Sequence, residues 1–432
     1  MAASSAYIIA LNAGSSSIKL SLYRADDTTS PELITKAQVE EIGDSPHLFG
    51  ELADGSVFLV ETPDDHELPD HDSAYARLRE ALDAQFGKLE LAAVGHRIVH
   101  GGDLFSMPTA IDDATREGIA SLVPMAPLHQ PHHLEGIDAV GRFAPETLQV
   151  ACFDTSFHLG MPRVAQLTGL PYRFFEQGIR RFGFHGLSYE YIAGRLPDVD
   201  RRLAEGRTIV AHLGNGASLC ALQAGRSVDT TMSFTALDGL PMGTRSGALD
   251  PGLVLYLEHE LGYSSEELQT LLYHDAGLLG LSGIDSDMQT LLESDSPRAQ
   301  LAVDFFVYRV AQEMGRLAVS LGGVDGIVFT AGIGEHAAPI RQAVIERLAP
   351  LWSVALDDTA NRAAEPGRIS TPDSAVAVHV IPTDEETMIA RHTWQLYRSR
   401  TRGDASESAP EPDRDRDRDR DRDRDRDRDH RA

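Results

Sequence analysis

Lysine is almost missing from this chain of 432 residues: only Lys19, Lys36 and Lys88 occur, against 66 acidic residues. The formal charge of −27 at pH 7 excludes nucleic acid and anionic membrane surfaces as natural partners, because both repel a polyanion. Two cysteines, Cys152 and Cys220, are too few for a disulfide framework and suit a reducing compartment. No basic segment followed by an apolar run opens the chain, and no apolar run approaches the ~18 residues of a membrane span. The expectation is a cytoplasmic protein without a membrane anchor. A Walker loop is missing too, since the one Gly-Lys pair, Gly87-Lys88, runs into Leu89 rather than Ser or Thr.

What the chain does contain is a motif that occurs twice. Ile8–Leu11 leads into Asn12-Ala13-Gly14-Ser15-Ser16-Ser17 and out through Ile18-Lys19-Leu20. Two hundred residues on, Ile209–Leu213 leads into Gly214-Asn215-Gly216 and out through Ala217–Leu222. Each copy reads as a β-hairpin with a small-residue tip. Such a tip lets backbone N–H groups approach an anion, and Ser and Asn add donors or a metal ligand. Either copy alone is an ordinary tight turn. The pair, in equivalent places of the two halves, points to a duplicated fold closing on a polyphosphate.

Strand and helix patterns alternate throughout, which gives an α/β fold, and the length allows two or three domains. Acidic loops are expected after the first hairpin, then helices near residues 74–86, 114–121 and 133–143, with strands at 92–100 and 147–153. The second half reads as a helix near 188–196, the second hairpin, a long polar loop over 229–251 and helices near 253–261 and 265–272. Residues 299–321 read as a strongly apolar, buried helix. A strand at 326–330 precedes a helix to 348, and after a last strand at 375–381, Thr383 starts a helix with Glu386 at capping-box spacing. From Asp404 the apolar residues vanish, and 413–428 is a strict Asp-Arg alternation. Such a segment buries nothing to offset its ordering entropy and reads as a disordered tail over 403–432.

Several segments in order carry a specific resemblance: Asn12–Lys19, Gly95–Gly102, Ala126–His129, Phe153–Thr155, Gly183–Gly186, His212–Ser218, Gly243–Gly247, Thr330–Glu335 and Pro382–Glu386. From about residue 6 to about 398 the chain resembles the acetate kinase family. The resemblance implies two similar actin-like, ribonuclease-H-like lobes with a central cleft. Residues 1–153 with 386–402 form one lobe, on the carboxylate and metal side, and 154–385 form the other, on the nucleotide side. It implies a homodimer that transfers the ATP γ-phosphoryl group reversibly to acetate, giving acetyl phosphate and ADP, with propionate or another short carboxylate as the alternative substrate. It also implies Mg²⁺, with Mn²⁺ as a substitute.

The resemblance assigns residues as follows. Arg97 binds the carboxylate, and Arg245 and His185 stabilise the transferring phosphoryl group, as arginine's fixed fork of donors allows. Asp154 matches the family's acid/base residue. A carboxylate substrate is already ionised at neutral pH, so Asp154 is expected instead to position Arg97, the substrate or the metal. Val99, Leu128, Phe184 and Ala236 line the acyl pocket, Ala236 standing where the family usually has Pro. Asn12 and Glu385 hold the metal. Lys19, His212, Leu213, Gly214, Asn215 and Gly216 contact the nucleotide phosphates, and Asp287, Met288, Gln289, Gly332, Ile333, Gly334, Glu335 and His336 contact adenosine. Gln289 and His336 replace the usual Arg and Asn, and Leu187 and Tyr189 replace Thr and His.

Three rival readings follow from the residues. Gly332-Ile333-Gly334-Glu335-His336-Ala337, with Asp357 roughly 20 residues on, also satisfies a dinucleotide-binding fingerprint, making a nicotinamide-dependent dehydrogenase the runner-up. An ATP-driven conformational switch of the same superfamily would need no joint role for Arg97, Asp154 and Arg245. His129, His132 and His133 suggest a transition-metal site, but Pro131 interrupts the run and only His129 matches the family.

Overall fold

The computed structural model describes residues 6–26, 30–64, 66–363 and 365–401. The chain divides at Leu396 into two compact units, Met1–Leu396 and Tyr397–Ala432. Within the second only residues 397–401, the last turn of the final helix, are described, so the expected tail over 403–432 lies outside the described residues.

Two sheets organise the first unit. The first contains β1 (Ala6–Ala13), β2 (Ile18–Ala25), β3 (Glu32–Glu40), β4 (His47–Leu52), β5 (Val57–Glu61), β6 (Leu91–Ile98), β7 (Thr109–Ala110) and β8 (Leu148–Phe153), in the order β5-β4-β3-β2-β1-β6-β8-β7. The second contains β9 (Arg207–Leu213), β10 (Ala217–Gln223), β11 (Arg226–Thr230), β12 (Gly326–Thr330), β13 (Gly367–Arg368) and β14 (Ala377–Val380), in the order β11-β10-β9-β12-β14-β13. At the centre of each lies the same motif: an antiparallel hairpin whose first strand is followed sideways by two parallel strands. The duplication read from the two tips is therefore one of topology, and each tip emerges at the C-terminal end of the parallel strands of its sheet.

Helices pack on these sheets. They include α1 (His71–Phe86), α2 (Gln130–Phe143), α3 (Gly186–Val199), α5 (Pro297–Leu321), α6 (Ala331–His336) and α7 (Glu385–Thr401), while α4 (Pro251–His259) buries no residue and packs on the helix Ser265–Tyr273. Helix α5 places Ala299, Val303, Phe306, Val310, Met314 and Leu317 at helical spacing against β10 and β9. Burying one such side chain as large as Phe306 contributes about 1.5–3 kcal/mol.

Three expectations are corrected. The stretch after the first hairpin folds as β3, β4 and β5 rather than as loops; its strands alternate buried with exposed residues and extend one flank of the sheet. Helix α5 is not buried all round, because Leu301, Phe305 and Tyr308 leave a second apolar row open. The cap of α7 lies one residue later than expected. Asp384 Oδ1 accepts the Thr387 N–H at 2.9 Å, while Thr383 Oγ1 donates to Ser188 Oγ at 2.8 Å.

Candidate active site

Arg97 and Asp154 are brought together by strand register. In the parallel pair β6/β8, Arg97 lies opposite Cys152, and Asp154 follows β8 directly. The Asp154 carboxylate is 1% exposed and accepts from Arg97 Nε at 3.1 and 3.2 Å and from Nη2 at 2.7 Å. Arg97 Nη1 donates to Asn12 Oδ1 at 3.3 Å, and Glu385 Oε2 lies 3.5 Å from Nε. Burial lowers the Arg97 pKa, but Asp154 and Glu385 outweigh it and the net shift is upward. Burial first, then Asp154 and Glu386, lifts Glu385 to about 7, with Arg97 and Lys19 opposing.

A turn from the second half seals this cluster. His185 sits at φ 56 ahead of α3, a left-handed conformation uncommon for a side-chain-bearing residue. The next residue must be glycine: its N–H donates to Asp154 O at 2.9 Å, and a Cβ on Gly186 would lie 2.0 Å from that oxygen. The His185 ring stacks on His212 with centroids 4.1 Å apart. His185 Nδ1 is 2.8 Å from Ser218 Oγ, which also hydrogen-bonds Tyr189 OH; His212 Nδ1 is 2.8 Å from Ser188 Oγ. Burial pushes His185 well below its ordinary pKa and His212 down to about 3, so both rings are neutral at pH 7. Tyr189, in place of the family's His, thus keeps a polar contact with Ser218, whereas Leu187 is buried.

Arg245 stands against the second tip. A Cβ on Gly216 would lie 3.3 Å from Arg245 Nη2 and 3.4 Å from His185 Nε2. Arg245 Nη1 donates to Ala236 O at 2.9 Å, and among the described residues no carboxylate forms an ion pair with it. Burial, followed by Arg97, lowers its pKa. A half-buried guanidinium without a counter-charge, beside two neutral imidazoles, suits an incoming anion.

These groups line one cleft of about 340 Å³. Its walls include Arg97, Asp154, His185, Arg245, Lys19 and Glu385, with Val99, Phe184 and Ala236 as the apolar part. Gly214, Asn215, Gly216 and His212 complete the lining beside His185 and Arg245. His129 also lines it, and burial, followed by Arg245 and Arg97, pushes its imidazole down to about 3. The family motif containing His129 was the signal for it. Leu128 is half-buried and is not among the cleft-lining residues.

The expected adenosine segments lie beyond this cleft but adjoin its tip. Asn215 O accepts from Gly243 N–H at 3.0 Å, and a Cβ on Gly243 would lie 3.3 Å from Ser286 Cβ, next to Asp287. A Cβ on Gly214 would lie 3.7 Å from Ala331 Cβ, ahead of Gly332. Gly332, His336, Asp287 and Gln289 are exposed there, Gly334 is buried and Ile333 half-buried. The side chains of Leu213 and Met288 are spent in the core. Glu335 Oε1 accepts from Ala331 N–H at 2.7 Å and Thr383 N–H at 3.2 Å, pinning the two loops together. Asp287 caps a short helix, and Gln289 Nε2 bonds Glu293 at 3.0 Å.

The donor set suits a hard divalent cation. Asn12 Oδ1 and the Glu385 carboxylate are oxygens converging on one guanidinium, and burial, followed by Asp154, raises the Glu385 pKa. Mg²⁺ takes one or two protein oxygens and fills its octahedron with water and phosphate. Asn12 and Glu385 would hold it, and the ion would supply charge to neutralise phosphate oxygens.

Comparison with known proteins agrees with the geometry. The pattern of the Acetokinase family matches residues 7–391. An acetate kinase of Rhodopseudomonas palustris strain TIE-1 is 52% identical over 398 residues, covering 90% of this chain and 98% of that protein. An acetate kinase of Nitrobacter hamburgensis is 47% identical over 398 residues, covering 91% and 97%. Among solved structures, a propionate kinase from Francisella tularensis superposes with a TM-score of 0.82 at 34% identity, covering 90% of this chain and 99% of that one. An acetate kinase of Porphyromonas gingivalis gives 0.78 at 34% identity, with coverage of 90% and 99%. From its paired hairpins to its arginine-lined cleft, the chain belongs to the acetokinase family.

Proposed function

We propose that this protein transfers the γ-phosphoryl group of ATP to acetate, reversibly, giving acetyl phosphate and ADP, in the presence of Mg²⁺. The observation that carries the reading is Arg245, a half-buried cation without a carboxylate partner among the described residues, which lines one cleft with Arg97 and the tip residues 214–216. Phosphoryl transfer demands such an array, because charge spreads over three equatorial oxygens while donor and acceptor lie in line. Arg245 and the neutral His185 donate to those oxygens. Arg97, held by Asp154, presents its remaining donors to the substrate carboxylate, and Val99, Phe184 and Ala236 receive the methyl group. Asp154 already spends both oxygens on Arg97, which favours positioning over proton abstraction.

Propionate is the second reading, favoured by Ala236 in place of a bulkier, stiffer proline and by the named activity of the Francisella relative. The nucleotide is expected to run from Lys19 and the tip past Ala331, with adenosine against Asp287–Gln289 and Gly332–His336. The open apolar rows of α4 (Leu255, Tyr256) and α5 (Leu301, Tyr308) support a homodimer. No helix among the described residues is long and apolar enough to cross a membrane. The buried thiols Cys152 and Cys220 favour a cytoplasmic location.

Hydroxylamine trapping with acetate, ATP and Mg²⁺ tests the proposal and is expected to give acetohydroxamate in step with ADP. ATP hydrolysis that ignores the carboxylate, or nicotinamide turnover, would replace it with one of the rival readings.

A further inference from the structure

Behind the first hairpin tip lies a second cluster of ligating side chains, which the phosphoryl-transfer chemistry does not use. His71 opens α1, and His132 and Glu135 stand one turn apart on α2. The His132 Nδ1 is 3.1 Å from Glu135 Oε2, and His71 Nδ1 is 3.9 Å from the same oxygen. One ligand atom from each residue lies within 4.8 Å of the others. We propose that His71, His132 and Glu135 form a second metal site, taking a transition-metal dication such as Zn²⁺ through two imidazole nitrogens and one carboxylate.

The hydrogen bonding of His71 already prepares it as a ligand. Its Nε2 lies 2.8 Å from Gly14 O, an atom that only accepts, so Nε2 carries the proton. In the neutral ring the Nδ1 lone pair is then free and points to the side of Glu135. A ligating histidine whose other nitrogen donates to a backbone carbonyl is the usual arrangement of a metal-binding imidazole. Around a tetrahedral Zn²⁺ with bonds of about 2.0–2.2 Å, ligand atoms stand about 3.3–3.5 Å apart. The His132–Glu135 pair is already near that spacing, and the His71–Glu135 pair, at 3.9 Å, is about half an ångström wider.

The two rings now stack, with centroids 5.0 Å apart and planes 19° from parallel. Binding therefore turns the outer ring, and His132, at 27% side-chain exposure, has room to turn while His71 stays anchored at 10%. The cluster opens into a pocket of about 430 Å³ that leaves a fourth position for water. Arg142 on its rim is ion-paired with Asp72 and does not oppose a cation. Imidazole ligands favour zinc, cobalt or nickel over the hard Mg²⁺ expected between Asn12 and Glu385. Because His71 holds the Gly14 carbonyl, occupancy would also stiffen the tip two residues beyond Asn12.

The test titrates Zn²⁺ into the full chain in excess Mg²⁺, against a chromophoric chelator, and repeats the titration with Co²⁺ while following visible absorption. The expected result is one tight equivalent with tetrahedral cobalt bands. His132→Ala and Glu135→Gln should each weaken it about tenfold or more without lowering the melting temperature of the metal-free chain. Glu385→Gln should leave it intact, which separates this site from the Mg²⁺ position. A tight equivalent that survives both α2 substitutions, or none in the unmodified chain, overturns the proposal. Neither result bears on acyl phosphate formation.

Discussion

Among the described residues the Arg245 guanidinium makes one hydrogen bond, to the Ala236 carbonyl, and has no counter-charge, which leaves donors for the proposed contact with the transferring group. Arg245→Ala should lower kcat by two or more orders of magnitude with the ATP KM nearly unchanged, since such donors are worth roughly 3–4 kcal/mol in the transition state. Steady-state kinetics at saturating acetate checks this, and an unchanged kcat would remove Arg245 from the chemistry. Glu385 makes a different prediction. Its pKa is raised from 4.5 to about 7, chiefly by burial, so below that pH a proton competes with the cation. Binding of Mn²⁺, as a stand-in for Mg²⁺, should weaken roughly tenfold per pH unit below about 7, and Glu385→Gln should abolish that dependence. The sign for stability follows: the folded state holds this proton more tightly than the unfolded chain, so stability of the metal-free protein falls as pH rises from 4.5 towards 7. Arg97, His185 and Arg245 were legible because each sits in a short motif. The stack of His185 on His212 and the Tyr189–Ser218 contact were not, because they join residues about thirty positions apart through the packing of α3 and the turn before it on the second hairpin.

Among the elements, β6 depends on one close approach. A Cβ on Gly95 would lie 2.1 Å from Thr393 Oγ1 and 2.5 Å from Ile389 Cγ2, so α7 rests directly on the strand that carries Arg97. Gly95→Ala should cost about 1–3 kcal/mol through overpacking, lower the melting temperature, and raise the acetate KM as Arg97 shifts. Thermal melting and kinetics together check this; a silent substitution would mean that α7 yields freely. The loop over 231–250 offers a second test, because the Ala236 carbonyl positions Arg245 while its side chain faces the acyl pocket. Ala236→Pro keeps that carbonyl and should shift kcat/KM towards acetate over propionate, by no more than the ~1–3 kcal/mol that one methylene is worth. An unmoved ratio would show that Ala236 does not set chain length. Hairpins and parallel strands were readable from apolar runs bounded by small residues. Strands β3 to β5 were not, because their exposed faces carry Glu32, Glu40 and Glu51 and read as acidic loop. The α7 cap slipped by one position because Asp384 outcompetes Thr383 for the free N–H, and carboxylate acceptors are the stronger caps.

For the whole molecule, the doubly apolar helix α5 is the feature that composition could not assign. One face fills the core and the other, with Leu301 at 60% exposure, is open and forms part of the proposed dimer surface. Leu255→Glu combined with Tyr308→Glu should convert a dimer into monomers by sedimentation, at little cost within each subunit; a parent chain that sediments as a monomer refutes the proposed dimer. The two-sheet architecture carries a mechanical consequence. The chain passes from the first sheet to the second after β8, and it returns to pack on the first sheet through α7. Asp154 stands at the first crossing and Glu385 at the second, both beside Arg97. Points on a hinge line move least when two plates swing. Were the two sheets to swing, an axis through these carboxylates would leave the grip on Arg97 almost undisturbed. The proposed carboxylate anchor is thus tied to both places where the chain changes sheets.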